Sequence, residues 1–336
     1  MSLPPVEIPL GAMRFNSDSQ KLEYFNGEIW FQIHTFNSDL KGGARGLFGG
    51  GNAPGIDNTI QYITISTQGD ATDFGDLLYQ QGYPFSLASS TRGVWSGGYT
   101  PSAKVDINYV TISSTGNAVD FGDNTQGRWA ASTVSNSTRG IMAGGAPGGS
   151  PAQVDTIDYI TIAKTGNAVD FGNLTEGISH SLGGMSNGTR GVLSYSGYQD
   201  PSGNQAEIDF ITIPTTGNAQ DFGDCEVTRH TNSSCSNSIR GISGGGLDPS
   251  ATARMDYITI ATRGNTTDFG NLSSARRATT ACASSLRGVW GGGGPSLVDT
   301  IEYVTIATEG NAVDFGNLNT NRENGAACSN EHGGLG

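Results

Sequence analysis

Arginine and aspartate recur along this chain at nearly constant spacing, and Arg–carboxylate pairing is the chemistry that this spacing predicts. The aspartates of the first five Asp-Phe-Gly triplets each precede an arginine by 19 or 20 residues, whereas that of the sixth, Asp314, precedes His332 by 18. An active site is a single, asymmetric arrangement of residues around one substrate. The repetition of the same pair therefore favours a structural staple or turn anchor over an active site. We therefore expect Asp170→Asn to destabilise the fold without specifically abolishing binding. The arginines open Arg-Gly-apolar-apolar segments and the aspartates lie in Asp-Phe-Gly triplets: Arg45, Arg92, Arg139, Arg190, Arg240, Arg287, Asp73, Asp120, Asp170, Asp221, Asp268 and Asp314.

The histidines and cysteines offer weaker signals. His180 and His230 occupy similar places between repeats, but the sequence lacks the Cys/His/Asp spacing of a metal site, which favours surface histidines over a shared metal ion. Cys235 and Cys282 lie at matching sites in neighbouring repeats. Stacked sheets lie about 10 Å apart and a disulfide needs Cα atoms within about 7 Å, so we expect unpaired, buried thiols. Phosphate-loop and nucleophile-elbow motifs are also absent, so we expect a non-enzymatic protein with no cofactor and no metal.

Composition and charge exclude several classes of partner. The chain has 336 residues, 51 of them glycine, and a formal net charge of −13. This acidity argues against nucleic acid or an anionic membrane as the main partner. The sequence contains no apolar run of the roughly 20 residues that cross a membrane, and its start lacks the features of a signal peptide. We therefore expect no membrane insertion.

The whole pattern repeats every 46 to 51 residues, which is right for one propeller blade and too long for one solenoid coil. In the sixth repeat, small residues at 278–285 predict an innermost strand, and Arg287 opens a second. Residues 301–306 are β-branched and aromatic and predict the third strand, and residues 313–316 form an outer fourth. The phenylalanine of each Asp-Phe-Gly triplet is expected to fill the gap between adjacent blades.

The first repeat lacks the small-residue strand, and residues 325–331 at the end of the chain supply a segment of matching composition. Pairing of this strand with the first blade would leave no open edge. We therefore predict an all-β fold in which residues 41–336 form a six-bladed β-propeller closed by the C-terminal strand.

The blades resemble Kelch-type propellers, which also have a double glycine ending the second strand, an aromatic in the third and an arginine between blades. The usual fourth-strand Trp is replaced here by the Phe of Asp-Phe-Gly. A closer resemblance is to the Tyr-Ile-Thr-Ile…Thr-Gly-Asn-Ala-x-Asp-Phe-Gly repeat of tail-fibre and other virion proteins of tailed, notably marine, bacteriophages. Residues 159–172 contain this pattern most fully.

Residues 1–40 lie outside the repeat and are predicted to form a small β-meander. Three strand-like runs (11–15, 21–25 and 28–32) are separated by polar residues and by Asn26-Gly27, a strong hairpin signal. A meander of this size is not stable alone, so it must pack on the propeller, self-associate or dock elsewhere. The segment resembles a short module near the ends of phage tail fibres, which implies attachment to other virion proteins.

The connections on one rim vary in length and content, whereas the turns on the other rim are uniform. Second–third loops lie at 52–58, 99–106, 146–156, 197–207, 247–254 and 294–300, and inter-blade loops lie at 77–85, 124–129 and 173–180. Diverse loops on a rigid scaffold are typical of binding surfaces, although loops also vary without functional cause. The candidate aromatic platforms and polar anchors on this rim are Tyr83, Phe85, Tyr99, Arg128, Trp129, Tyr198 and Arg277.

These features and the resemblance together predict a non-enzymatic phage virion protein, a tail-fibre or tail-tip component assembled in the host cytoplasm. Its variable rim would recognise a bacterial surface glycan or protein. Two alternatives stay open. One is a purely structural decoration or connector protein that binds virion subunits. The other is a glycan-degrading tail enzyme, which no residue pattern in the sequence supports.

Overall fold

The computed structural model describes residues 8–16, 21–32, 44–149, 152–180, 183–193, 198–199 and 202–335; for residues 21, 22, 32, 198 and 199 it describes the backbone alone. The chain divides into two compact units, Met1–Gly43 and Ala44–Gly336. The described parts of both units are built from antiparallel strands, which confirms the all-β prediction. Within these residues, no helix is long and apolar enough to cross a membrane.

The N-terminal unit contains a three-stranded meander. Its strands are Met13–Asn16, Lys21–Phe25 and Trp30–Gln32. The turn before the third strand forms because the Asn26 side-chain oxygen accepts from two backbone N–H groups, those of Glu28 at 3.0 Å and Ile29 at 2.9 Å. Arg14 pairs with Glu23 at 2.9 Å and stacks over Trp30 at 4.2 Å, which fixes the polar face of the meander.

Within its described residues, the second unit contains six four-stranded antiparallel sheets. We number the sheets 1 to 6 and name their strands first to fourth in order across each sheet. Sheets 1 to 3 comprise Ala326–Ser329, Arg45–Gly49, Thr59–Thr64 and Thr72–Asp76; Phe85–Ala88, Arg92–Ser96, Asp106–Thr111 and Val119–Asp123; and Ser132–Ser135, Arg139–Ala143, Thr156–Thr161 and Val169–Asn173.

Sheets 4 to 6 continue this order, and two short hairpins and one 3-10 turn complete the unit. Sheets 4 to 6 comprise Met185–Ser186, Arg190–Leu193, Glu207–Thr212 and Gln220–Asp224; Ser233–Ser236, Arg240–Gly244, Thr252–Thr259 and Thr267–Arg276; and Thr280–Ala283, Arg287–Gly291, Thr300–Thr305 and Val313–Asn317. The hairpins are Asn52–Ala53 with Gly55–Ile56 and Tyr198–Gln199 with Gly203–Asn204, and the 3-10 turn is Gly333–Leu335.

The C-terminal strand Ala326–Ser329 pairs with Arg45–Gly49, as the sequence predicted, so the last strand of the chain completes the sheet that begins the second unit. The register runs from Ala326 opposite Gly49 to Ser329 opposite Gly46. The strand edge that the first repeat leaves open is thereby covered.

The fourth strand of each sheet contacts the following sheet closely because its Asp-Phe-Gly glycine has no side chain. Gly75 has a φ of +144°, and a Cβ there would lie 2.5 Å from the carbonyl oxygen of Gly116 in sheet 2. The neighbouring Phe74 is buried, and it shares a core cluster with Trp95 and Ile112 of sheet 2. The other five triplet phenylalanines are likewise buried, which confirms that they fill the space between sheets.

Most first-strand residues are small, with Phe85, Leu87 and Met185 as exceptions, and their serine hydroxyl groups bond one sheet to the next. The Ser135 hydroxyl donates to the Ala88 carbonyl at 2.9 Å, Ser186 to Ser135 at 3.0 Å, and Ser236 to Ser186 at 3.1 Å. These strands surround a cavity of about 80 Å³. The arrangement of the sheets is compatible with a β-propeller-like fold.

His332 lies against the ends of these first strands. Its Nε2 is 2.9 Å from the Ala88 carbonyl oxygen, and its Nδ1 accepts from the Gly334 N–H at 3.2 Å. This pattern fits a neutral ring protonated on Nε2, and burial lowers the pKa of His332. Gly333 and Gly334 are buried against carbonyl groups of Ser135, Ser186 and Asn237, where a Cβ would collide.

Candidate ligand-binding site

Six residues in equivalent places, each shortly before a first strand, form a hydrogen-bonded set that we call the hexad. Each N–H donates to the carbonyl of the hexad residue before it, and the N–H of Tyr83 donates to Asn324, over distances of 2.7 to 3.1 Å. All have φ between 53 and 59°, a conformation that costs a non-glycine residue on the order of 1 to 3 kcal/mol and is common at functional sites. The hexad residues are Tyr83, Ala130, His180, Thr231, Ala278 and Asn324.

Side chains of the hexad, or of the residues beside it, gather on one end of the sheets. Trp129 has its ring centroid 5.0 Å from that of Tyr83, 5.9 Å from that of Tyr99 and 4.8 Å from that of His180. The His180 and His230 rings follow at 6.1 Å. We define the mouth cluster as these five residues with the next two hexad neighbours along the chain: Tyr83, Tyr99, Trp129, His180, His230, Arg277 and Glu323.

The mouth cluster lies on the variable rim that the sequence predicted. The segments that connect successive sheets pair there with the second–third loops, through antiparallel bridges of Gly82 with Tyr99, Trp129 with Ala146 and His230 with Leu247. Arg277 bridges Gly294 and Glu323 bridges Asn52 in the same way. Both kinds of variable loop therefore meet on one rim, and the cluster lies where they meet.

Several polar groups of the mouth cluster have no protein partner among the described residues. Trp129 Nε1 and Arg277 Nε are buried nitrogen atoms without an acceptor. Arg277 and Glu323 both act on Tyr83: burial is the main cause that raises the pKa of this phenol, Glu323 adds to it, and Arg277 opposes it. The cluster thus combines aromatic rings with one cation and one carboxylate.

The two histidines are neutral near pH 7. Burial, with a smaller effect of His230, lowers the pKa of His180 to about 4. Burial and then Arg277 lower the pKa of His230, against a smaller opposite effect of Asp248. Each ring nitrogen Nδ1 has a neighbour, Ser179 Oγ at 2.8 Å for His180 and Asn204 Oδ1 at 2.7 Å for His230. Among described residues, no group of three or more metal-ligating side chains occurs.

Of the seven predicted rim residues, four lie in the mouth cluster, two are buried instead, and the side chain of the seventh, Tyr198, is not described. Tyr83, Tyr99, Trp129 and Arg277 come together there. Phe85 was wrong as a platform: it begins a first strand and is 3% exposed, packed in the core of sheets 2 and 3. Tyr198 lies in a short strand, and its side chain is outside the described part of the chain.

Arg128 was also wrong as a surface anchor, because its guanidinium is fully buried. It pairs with Asp158 at 2.8 Å and donates to the carbonyls of Gly144, Met142 and Thr156 at 2.8 to 3.2 Å. A buried cation is tolerated only when it is paired and hydrogen-bonded, so Arg128 has a structural role.

Arg128 belongs to a second arginine–carboxylate set that sequence reasoning missed. The members pair across 2.5 to 3.2 Å: Arg128–Asp158, Arg229–Asp256, Arg276–Glu302 and Arg322–Asp57. In sheet 2 the arginine and acid positions hold Gln81 and Asn108 instead. The two positions do not vary together in every repeat. Sheet 4 has Ile178 with Asp209, and sheet 1 has Arg322 with Gln61, so Asp57 supplies the carboxylate there.

The first set of repeat arginines has a structural role, but its partner was predicted wrongly. Arg139 stacks over Tyr159 with its Cζ 4.8 Å from the ring centroid and donates to the carbonyl of Ile213 in the next sheet at 3.1 Å. The other five make the equivalent contacts, over 2.8 to 3.4 Å, and Arg287 reaches Ile65 of sheet 1. A strand carbonyl at a sheet end lacks a ladder partner, so it competes well for the guanidinium.

The six Asp-Phe-Gly aspartates are exposed and pair with none of the repeat arginines in the described structure. Asp170 lies on the outer strand, opposite Asp158 in register, with its side chain in solvent. Asp268 has an ion-pair contact, 4.0 Å from Arg254, which is not a repeat arginine. The expected destabilisation by Asp170→Asn therefore has no structural basis.

No protein-family model matches this chain, and no curated protein matches it either. The resemblance to phage virion proteins therefore depends on the residues quoted for it above.

Proposed function

We propose that residues 44–336 form a closed, six-bladed β-propeller that binds a bacterial surface glycan through the mouth cluster. Three sets of contacts support the closed ring: the hexad, the repeat arginines, and the hydrogen bonds from each turn glycine to the preceding sheet's phenylalanine carbonyl. The last set includes Gly69 to Phe315 at 2.8 Å, which joins sheet 1 to sheet 6.

The observation that carries the binding proposal is the convergence of aromatic and hydrogen-bonding side chains at one place. Tyr99 is 41% exposed and contacts Trp129, so an aromatic face is available at the mouth. Aromatic rings flanked by polar groups are the usual construction of small-ligand and sugar sites. The residues come from separate connecting segments, so a different loop sequence changes the site without changing the scaffold.

We further propose that the protein is a virion component attached through its N-terminal unit. The resemblance of both units to phage tail proteins supports this. The meander exposes apolar side chains on strands that pair with each other: Met13 is 60%, Phe15 65%, Tyr24 40% and Phe31 42% exposed. An exposed apolar face of this kind suits contact with other protein subunits.

The proposal is for binding without catalysis. Glycoside hydrolysis uses two carboxylic acids that flank the scissile bond, and the mouth cluster contributes one, Glu323. Turnover of a host polysaccharide by the purified protein would reject this part of the proposal.

A glycan array and a whole-cell binding assay with the purified full-length chain test the function. Tyr99→Ala should weaken binding about tenfold, because removal of an aromatic platform costs about 1.4 kcal/mol or more. Tyr79→Ala is the matched control, since Tyr79 is an aromatic residue at least as exposed as Tyr99 (52% against 41%) and lies outside the mouth cluster, and it should bind like the wild type. Absence of glycan and cell binding, with stable incorporation into particles, would favour a connector role instead.

A further inference from the structure

We propose, on the basis of the glycan-binding function above, that the mouth cluster takes a neutral, hydroxyl-rich sugar ring. The aromatic side of the cluster contacts the C–H face of the ring. Trp129 and Arg277 donate hydrogen bonds to its hydroxyl oxygens, and Glu323 accepts from its hydroxyl groups.

The two halves of the mouth cluster differ in chemistry. Tyr83, Tyr99 and Trp129 come from the connections that precede sheets 2 and 3 and from the adjoining loop, and the Trp129 ring contacts both tyrosine rings. Arg277 and Glu323 come from the connections that precede sheets 6 and 1, and they flank Gly294, where a Cβ would lie 3.7 Å from Arg277 Nε and collide with Glu323 Oε2. A sugar ring has the matching division, with apolar C–H faces and polar edges.

Donors at the mouth lack acceptors. Trp129 Nε1 and Arg277 Nε are buried, and no described protein group accepts from them. A buried donor left without a partner costs about 1 to 3 kcal/mol, so each nitrogen favours a ligand that brings an oxygen atom. Both side chains are half-buried overall, so each has some exposed surface at the cluster although the two nitrogen atoms are buried.

An acceptor is also unused. Among the described residues, no side chain or backbone group donates a hydrogen bond to the Glu323 carboxylate, although the Glu323 backbone pairs with Asn52. A hydroxyl group both donates and accepts, so a polyol satisfies Glu323 together with Trp129 and Arg277. A carboxylate ligand would satisfy the two donors and would place its charge against that of Glu323.

The charge of the site also favours a neutral sugar. With both histidines neutral, the formal charges of Arg277 and Glu323 cancel, so the mouth cluster has no net charge. The whole chain has a formal net charge of −13, which repels an anionic glycan at low salt. A neutral sugar avoids both penalties.

The test compares neutral hexose oligosaccharides with hexuronate oligosaccharides of equal length, by titration calorimetry on the full-length protein. We expect the neutral series to bind at least tenfold more tightly. Trp129→Phe keeps an aromatic ring and removes the unpartnered nitrogen, so it should weaken neutral-sugar binding five- to tenfold while leaving the melting temperature equal or higher. Glu323→Gln should reduce the ratio of neutral-sugar to hexuronate affinity, because it removes the negative charge that repels hexuronates.

The outcomes separate the inference from the function on which it rests. The inference is overturned if hexuronates bind more tightly than neutral sugars, or if the Trp129→Phe and Arg277→Gln variants both bind with wild-type affinity. Either result leaves the glycan-binding function itself standing. Binding to a host protein alone, or to no glycan in either series, overturns both. Tyr79→Ala should match the wild type throughout, and the melting temperature of each variant shows that it is folded.

Discussion

The guanidinium of Arg139 holds two sheets together through two contacts, one with the Tyr159 ring in its own sheet and one with the Ile213 carbonyl in the next. A cation over an aromatic face contributes about 0.5 to 1 kcal/mol at a partly exposed site, and a hydrogen bond from a charged donor about 1.5 to 3 kcal/mol. The side chain is therefore a staple between sheets, with a carbonyl in the place where a carboxylate was expected.

Arg139→Ala should lower the free energy of unfolding by about 2 kcal/mol, because it removes both contacts. Asp170→Asn should change it by less than about 0.5 kcal/mol, because the Asp170 side chain is exposed. Denaturant unfolding of the two variants measures the contrast. Equal destabilisation by both would restore a structural role for the aspartate.

The buried Arg128–Asp158 pair should respond differently to single and double substitution. Asp158→Asn alone leaves a buried cation without its counter-charge and should cost about 3 kcal/mol or more. Arg128→Gln with Asp158→Asn reproduces the pair of residue types that sheet 2 has at Gln81 and Asn108, so the double variant should be more stable than either single one. Additive losses in a double-mutant cycle would contradict the pairing.

His180 should make stability depend on pH. Its pKa in the folded chain, about 4, lies below the value near 6.5 of an unfolded histidine. The unfolded chain therefore binds more protons between these values, so stability is present above pH 6.5 and is lost as the pH falls toward 4. His230, whose pKa is also lowered, opposes a charge on His180, and Arg277 in turn opposes a charge on His230.

Melting temperatures of the wild type and of His180→Gln from pH 7 to 4 test this expectation. The variant should lose less stability than the wild type over that interval, by roughly 2 to 3 kcal/mol. Parallel curves for the two proteins would show that His180 is not held neutral by the fold. His230 and His332 remain in both proteins, so the difference reports His180 alone.

At the scale of elements, most strands followed from local pattern, and the errors have a common cause. Period-two alternation and β-branched residues mark the third strands, and the Asp-Phe-Gly triplet marks the fourth. The predicted inter-blade loop 77–85 ends on Phe85, which is the first residue of a strand, and Arg128, directly before Trp129, has its side chain buried instead of at the mouth. A loop boundary read one or two residues late therefore exchanges a surface residue for a buried one.

The C-terminal segment should contribute to stability through its glycines. Gly334 lies against the Ser135 carbonyl, so Gly334→Ala forces the segment away and should lower the free energy of unfolding by about 1 to 3 kcal/mol. Gly149→Ala is the control, because nothing lies within 4 Å of a Cβ at that exposed position. Thermal unfolding compares the two, and equal melting temperatures would show that the segment does not pack as described.

At the scale of the whole molecule, the mouth cluster could not be read from the sequence as a unit. Tyr83 and Glu323 are far apart along the chain, and backbone hydrogen bonds such as that from Tyr83 to Asn324 bring their segments together. The aromatic residues were identifiable because they interrupt polar loops. Glu323 was not, because a single exposed-looking glutamate in a polar segment carries no signal without the register of the closing strand.

A crystal structure of the protein with the tightest-binding neutral oligosaccharide of the array tests both the closed ring and the sugar site. It should show six four-stranded sheets in a closed ring, with sugar density against Trp129 and hydroxyl groups within hydrogen-bond distance of Arg277 and Glu323. Sugar density away from the mouth cluster, an open stack of sheets, or a different number of sheets would contradict it.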